Sequence, residues 1–173
     1  METRTKKQEE LVNSFLSALG DDARPLYRDI ILYLSGLGYH PHKEKSNISF
    51  KHDLHNKQMA KMGIKKNKEP SPFFALRFSV CRGYSQRFTD IVSAAIIKYP
   101  SRAALCVSTG CDYCGGEAET HVYTYTLPDG ESKSHCGAYA LEIPFVTRED
   151  VDEIKKLINE EHEYLIRNEI GRV

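Results

Sequence analysis

The sequence predicts an α+β fold, an antiparallel sheet with helices packed against it. Three observations lead there. Apolar residues recur at helical spacing in four stretches, others alternate at period two, and the strand-like runs follow one another as hairpins rather than in strict βαβ order.

The first helix is marked by Leu11, Val12, Phe15, Leu16 and Leu19, with Gly20 placed to end it. Asp21 or Asp22 can cap a second helix with Pro25 in its first turn and an apolar face of Leu26, Tyr27, Ile30, Ile31, Leu34 and Leu37, closed by Gly38. His40-Pro41 then reads as a break. Ile48, Phe50, His52 and Leu54 alternate as a half-buried strand with His52 inward, and a weaker strand over 59–65 pairs back. After Pro70 and Pro72, the residues Phe74, Leu76, Phe78 and Val80 give the clearest strand, and Cys81 at its end reads as a structural thiol.

Ser85 can cap a third helix whose stripe is Phe88, Ile91, Val92, Ala95, Ile96 and Tyr99, stopped by Pro100. Residues 103–107 lead into a cysteine-rich stretch. Beyond it Tyr139, Leu141, Ile143 and Phe145 alternate as a strand that Pro144 confines to an edge or an end. Thr147 and Asp150 form a capping-box-like start for a last helix carrying Val151, Ile154, Leu157, Ile158 and Leu165. Its acidic residues, Glu160, Glu161 and Glu163 among them, read as a solvated face.

The stretch 106–136 holds four of the five cysteines, and within it Cys111-x-x-Cys114-Gly-Gly forms a knuckle whose glycines free backbone amides to turn toward sulfur. If Asp129-Gly130 makes a two-residue turn, facing positions sum to 259 and Cys136 lies opposite Tyr123, near the knuckle. Cys106, Cys111, Cys114 and Cys136 then supply the four soft donors of a structural Zn²⁺. His135 and His121 are the alternative fourth ligands, although His135 must point away from its neighbour Cys136. The module is an insertion before the last strand and the C-terminal helix. A thioredoxin-like dithiol would need a helix after the Cys-x-x-Cys, where Gly115 and Gly116 lead to a strand instead.

The 173 residues suit one domain over 1–173, with 40% hydrophobic and 28% charged residues. No apolar run approaches the ~20 residues that span a bilayer, and a charged N-terminal stretch is unlike a secretory leader, so a cytoplasmic protein without membrane contact is expected. Lysines and arginines number 24 and so do aspartates and glutamates, which gives no general affinity for nucleic acid. Eight lysines nonetheless fall within 40–68, interleaved with His40, His42, Phe50, His52 and His55.

Four segments, LYRDIILYLSGLGY, FFALRFSV, the Cys-x-x-Cys with its later His-Cys-Gly, and EIKKLINEEHEYL, together resemble an uncharacterised group of small bacterial α+β proteins. The first half is also similar to the YdhG-like family, compact α+β domains sometimes described as frataxin-like iron carriers, which lack the cysteine module. The resemblance implies the fold class and transfers no functional residue. An iron role would need carboxylates on one exposed face, which Glu149, Asp152, Glu153, Glu160 and Glu163 meet only in part.

The sequence therefore points first to a zinc-binding module, its metal structural, that takes a small ligand or a protein partner. The first alternative is a nucleic-acid-binding protein using the lysine-rich 40–68 region, weighed against lysines that merely guard a sheet edge. The second is a zinc-dependent or thiol-based enzyme; a deaminase-like site would need a glutamate two residues after its first ligand, and Cys106-Val107-Ser108 has none. Tyr123, Tyr125 and Tyr139 beside His121 are expected to pack across strands.

Overall fold

The structure is a computed structural model that describes residues 5–108 and 120–170. The chain opens with two helices, α1 (Lys6–Ser17) and α2 (Ala23–Gly36). Thr5 and Gln8 close a reciprocal capping box at the start of α1. The helix ends at Ser17, three residues before the expected Gly20, and Ala18 caps it in ordinary right-handed geometry. Gly38 does end the second helix region as expected, at φ +84°, where a Cβ would lie 2.9 Å from His52 Nε2.

Four antiparallel strands follow: β1 (Tyr39–Glu44), β2 (Asn47–His52), β3 (Gln58–Lys65) and β4 (Ser71–Leu76). The short β7 (Leu141–Ile143) completes a five-stranded sheet of order β1-β2-β3-β4-β7. The expected break at His40-Pro41 is instead β1. It is an edge strand, where a residue without a backbone N–H is tolerated, and Pro41 pairs with Phe50. Leu54 lies past β2 in a turn and is exposed, and Phe78 and Val80 lie past the end of β4.

Ile48, Phe50, Ala60, Met62, Phe74, Leu76, Leu141 and Ile143 share one sheet face by register and are buried. They join Ile30, Ile31 and Leu34 of α2 and the apolar stripe of α5 (Arg148–Ile170) in one hydrophobic cluster. Lys155 Nζ also bonds Asp29 at 2.8 Å and so links α5 to α2. Asp150 accepts from the Thr147 amide at 2.8 Å, the expected half of a capping box, and also binds Arg87 Nε at 2.8 Å. Buried as it is, Asp150 ties the start of α5 to α3 (Gln86–Lys98).

Ser85 caps α3 as expected, accepting from the Phe88 amide, and Pro100 opens a 3₁₀ turn (Pro100–Arg102) where the helix stops. The chain continues through the short α4 (Leu105–Ser108) and returns as β5 (Val122–Thr126) and β6 (Ser132–Cys136), a separate two-stranded sheet. This hairpin lies between α3 and β7 in sequence, the place expected for an insertion. Its register is one residue away from expectation: Tyr123 faces His135 and Val122 faces Cys136. The loop has three residues. Leu127 accepts from the Gly130 amide at 2.9 Å, Pro128 and Asp129 occupy the turn, and Gly130 sits at φ +87° as the bulge residue.

Candidate functional site

The register decides which side chains of the hairpin face inward, because a shift of one residue turns a strand over. His121, Tyr123 and His135 are buried, while Cys136 is half-exposed on the opposite side from His135. The Ala104 amide donates to the Ser134 carbonyl at 2.9 Å and Ala103 bridges His135, so the start of α4 lies along β6. Because this bridge is antiparallel, the chain beyond Ala104 heads toward the start of β6 at Ser132, and these contacts do not by themselves carry Cys106 toward Cys136. Both thiols are half-exposed and neither is in a disulfide. Cys111 and Cys114 lie outside the described residues. Among the described residues no three His, Cys, Asp or Glu side chains are grouped to hold a metal ion.

His121 is bonded within the fold. An Arg77 guanidinium nitrogen meets its Nε2, and Ser79 Oγ lies 3.1 Å from its Nδ1. A guanidinium can only donate, so Nε2 accepts and Nδ1 carries the proton toward Ser79. Ser79 Oγ in turn donates to Glu161 Oε1 at 3.2 Å, and Arg77 Nε donates to the same oxygen at 2.6 Å. The Val80 amide donates to Glu161 Oε2 at 3.0 Å. Glu161 is wholly buried.

The proton order in this network bears on chemistry. A serine nucleophile needs an imidazole nitrogen that accepts its proton, but here the imidazole donates to the serine. Burial and the Arg77 and Lys57 charges pull the His121 pKa down to about 3, which keeps the ring neutral. Burial pushes the Glu161 carboxyl up, opposed by Arg77, the Val80 amide and the Ser79 hydroxyl. The group is thus a buried ion pair with its remaining lone pairs satisfied, joining the end of β4, the hairpin and α5.

The reading of Glu161 as part of a solvated face is accordingly wrong. Its signal was in the spacing: Glu161 follows Leu157 by four positions and precedes Leu165 by four, so it belongs to the apolar stripe. Tyr123 packs as expected and also anchors the hairpin, its hydroxyl accepting from the Phe78 amide at 2.9 Å. Cys81 is buried, its Sγ 3.3 Å from the Leu157 carbonyl, and burial pushes its thiol well above the ordinary range. It is not poised as a nucleophile.

Other histidines gather around Tyr39. The rings of His52 and His55 stack at 4.5 Å, and the Tyr39 hydroxyl lies 3.2 Å from His162 Nδ1. His52 faces this half-buried cluster rather than a dry core. Of the eight lysines in 40–68, Lys61 bonds Glu44 at 2.9 Å and Lys65 pairs with Glu142, which removes two from any free basic surface. No helix among the described residues is long and apolar enough to cross a membrane. No protein-family model, curated protein or solved structure matches the chain.

Proposed function

We propose that the chain is a small zinc-stapled binding module of the cytoplasm, in which Cys106, Cys111, Cys114 and Cys136 hold one structural Zn²⁺ and the α+β body takes a small ligand. One observation carries this reading. Cys106 in α4 and Cys136 at the end of β6 flank a connection to the hairpin that carries Cys111 and Cys114, so all four thiols belong to one contiguous stretch of chain. Four thiolates are the donor set that a closed tetrahedral zinc site prefers. Of the four, Cys106 and Cys136 lie among the described residues, and both are free and half-exposed. The engagement of both His121 nitrogens and the inward direction of His135 favour Cys106 as the fourth ligand.

The test is metal content of untagged protein together with thiol titration before and after chelation. About one zinc per chain, with about four thiols exposed by chelation, is the expected result. Cys114→Ser should lose the metal and lower the melting temperature, because binding free energy at a structural zinc is folding free energy. Metal content and melting temperature that Cys114→Ser leaves unchanged would refute the zinc site.

A further inference from the structure

A cavity of about 810 Å³ opens between α3 and the β7 edge of the sheet. That size suits a small organic ligand. Its apolar wall consists of short side chains, Ala75, Ala94, Ala95 and Ala140, with Ile91 and Leu141. On α3, Arg87, Ile91, Ala94, Ala95 and Lys98 fall at successive turns of one helical face, so a single face of the helix lines the space.

The charges around the cavity are unequal in kind. Four cations line it, Lys65, Arg87, Lys98 and Arg102, against Asp90 and Glu142. Two of the four are already committed. Lys65 pairs with Glu142, and Arg87 binds Asp150 and the Pro144 carbonyl, at 2.7 Å for the latter. Lys98 and Arg102 make no ion pair with a carboxylate among the described residues. Their neighbours are aromatic: the Lys98 ammonium is 5.2 Å from the Tyr99 ring, and the Arg102 guanidinium lies 4.2 Å from Tyr99 and 4.9 Å from Tyr139.

Arg102 thus lies over two rings, Tyr99 and Tyr139. Stacking occupies the π surface of a guanidinium and leaves its N–H edge, which matches a carboxylate in bidentate fashion. Asp90 is at the other end of the α3 face, two turns before Lys98, and accepts from Gln86 Nε2 at 2.8 Å. The cavity therefore has an apolar body and a positive end.

We propose that this cavity binds a small organic anion, an apolar chain or ring that ends in a carboxylate, with Arg102 and Lys98 taking the carboxylate and the alanine-lined wall taking the apolar part. The inference rests on the binding role stated above and supplies its ligand class; it does not depend on the zinc. The probe is octanoate, with octylammonium as the control of opposite charge, titrated into the full chain and followed by ¹H–¹⁵N NMR and calorimetry. Octanoate should saturate and shift the amides of Ile91, Ala95, Lys98, Arg102 and Leu141, while octylammonium should not. Arg102→Gln should raise the octanoate Kd about tenfold, as loss of a charge-assisted bidentate contact does. Ala94→Leu, an exposed helix position that tolerates the larger side chain, should weaken octanoate binding by filling the cavity. No saturable shifts at millimolar octanoate, equal binding of octylammonium, or an unchanged Kd in both variants would overturn the proposal. Zinc in the same sample is read by metal analysis, so a failure here is distinguishable from failure of the zinc site.

Discussion

At the scale of single residues, the pair Arg77 and Glu161 shows how context overrides composition. A glutamate in an acidic helix is ordinarily solvated, yet Glu161 is buried because its position on α5 puts it in line with Leu157 and Leu165. Desolvating a carboxylate is costly, and only a fully bonded partner set offsets the cost. Arg77, Ser79 and the Val80 amide form that set. Arg77→Met should therefore lower stability by roughly 3–5 kcal/mol, since it leaves a buried carboxylate without its counter-charge. The double variant Arg77→Met/Glu161→Met should recover part of the loss, and urea-denaturation midpoints of the three proteins check it. A double variant weaker than Arg77→Met would show that the residues do not act as a pair. The stripe position of Glu161 was legible in the sequence, but its partner was not. Arg77 and Glu161 are 84 residues apart, and no local pattern encodes a contact that only the tertiary fold creates.

Among the elements, α3 and most strands of the larger sheet matched expectation, whereas the end of α1, β1 and the register of the hairpin did not. The start of α3 was legible because Ser85 is a capping residue followed by an apolar stripe, and the Ser85 hydroxyl does accept from the Phe88 amide. Ser85→Ala should cost about 1 kcal/mol, measurable as a shift in thermal unfolding without change in the folded-state circular dichroism. β1 was missed because Pro41 reads as a breaker and its neighbours lack apolar alternation; only a place at the sheet edge makes that sequence a strand. The hairpin was legible as an element and wrong in register. Asp129-Gly130 suggests a two-residue turn, but Pro128 at the first central position favours a three-residue loop with Gly130 as its bulge, which turns His135 inward. Gly137 then follows in close approach: a Cβ there would lie 2.6 Å from Ser79 Oγ and against the His121 carbonyl. Gly137→Ala should destabilise by about 1–3 kcal/mol, by forcing the hairpin away from the buried network. Hydrogen exchange would show the loosening as lost protection of the Tyr123 and Tyr125 amides, which face β6 in the hydrogen-bonded pairs, and protection equal to the parent would count against this account.

Over the whole molecule, the histidines give folding a common dependence on acid. His121 is held near pKa 3 by burial and by Arg77 and Lys57. Burial lowers His52, against the pull of Asp53 and the Leu37 carbonyl, with His40 adding to the lowering. Burial and then Arg102 lower His135, opposed by the Tyr99 and Ile96 carbonyls; burial and His52 lower His162, opposed by Glu163. In the unfolded chain each returns to about 6.5. Below that pH the unfolded chain binds protons that the folded chain refuses, so the free energy of unfolding falls as pH falls, by up to about 1.4 kcal/mol per pH unit for each histidine. Glu161 has the opposite sign. Its raised folded pKa means the native state takes a proton first, which adds stability on acidification. That is one group against four, and the histidines begin to act at 6.5, so the net slope favours acid unfolding. Urea midpoints should fall steadily between pH 7.5 and 5, and His121→Gln should flatten the curve more than a substitution at the solvent-facing His42, because His121 spans the widest gap between folded and unfolded affinity. A midpoint constant across that range would mean that these rings are protonated in the native state, and the neutral His121 on which the proton order of the buried network depends would have to be abandoned.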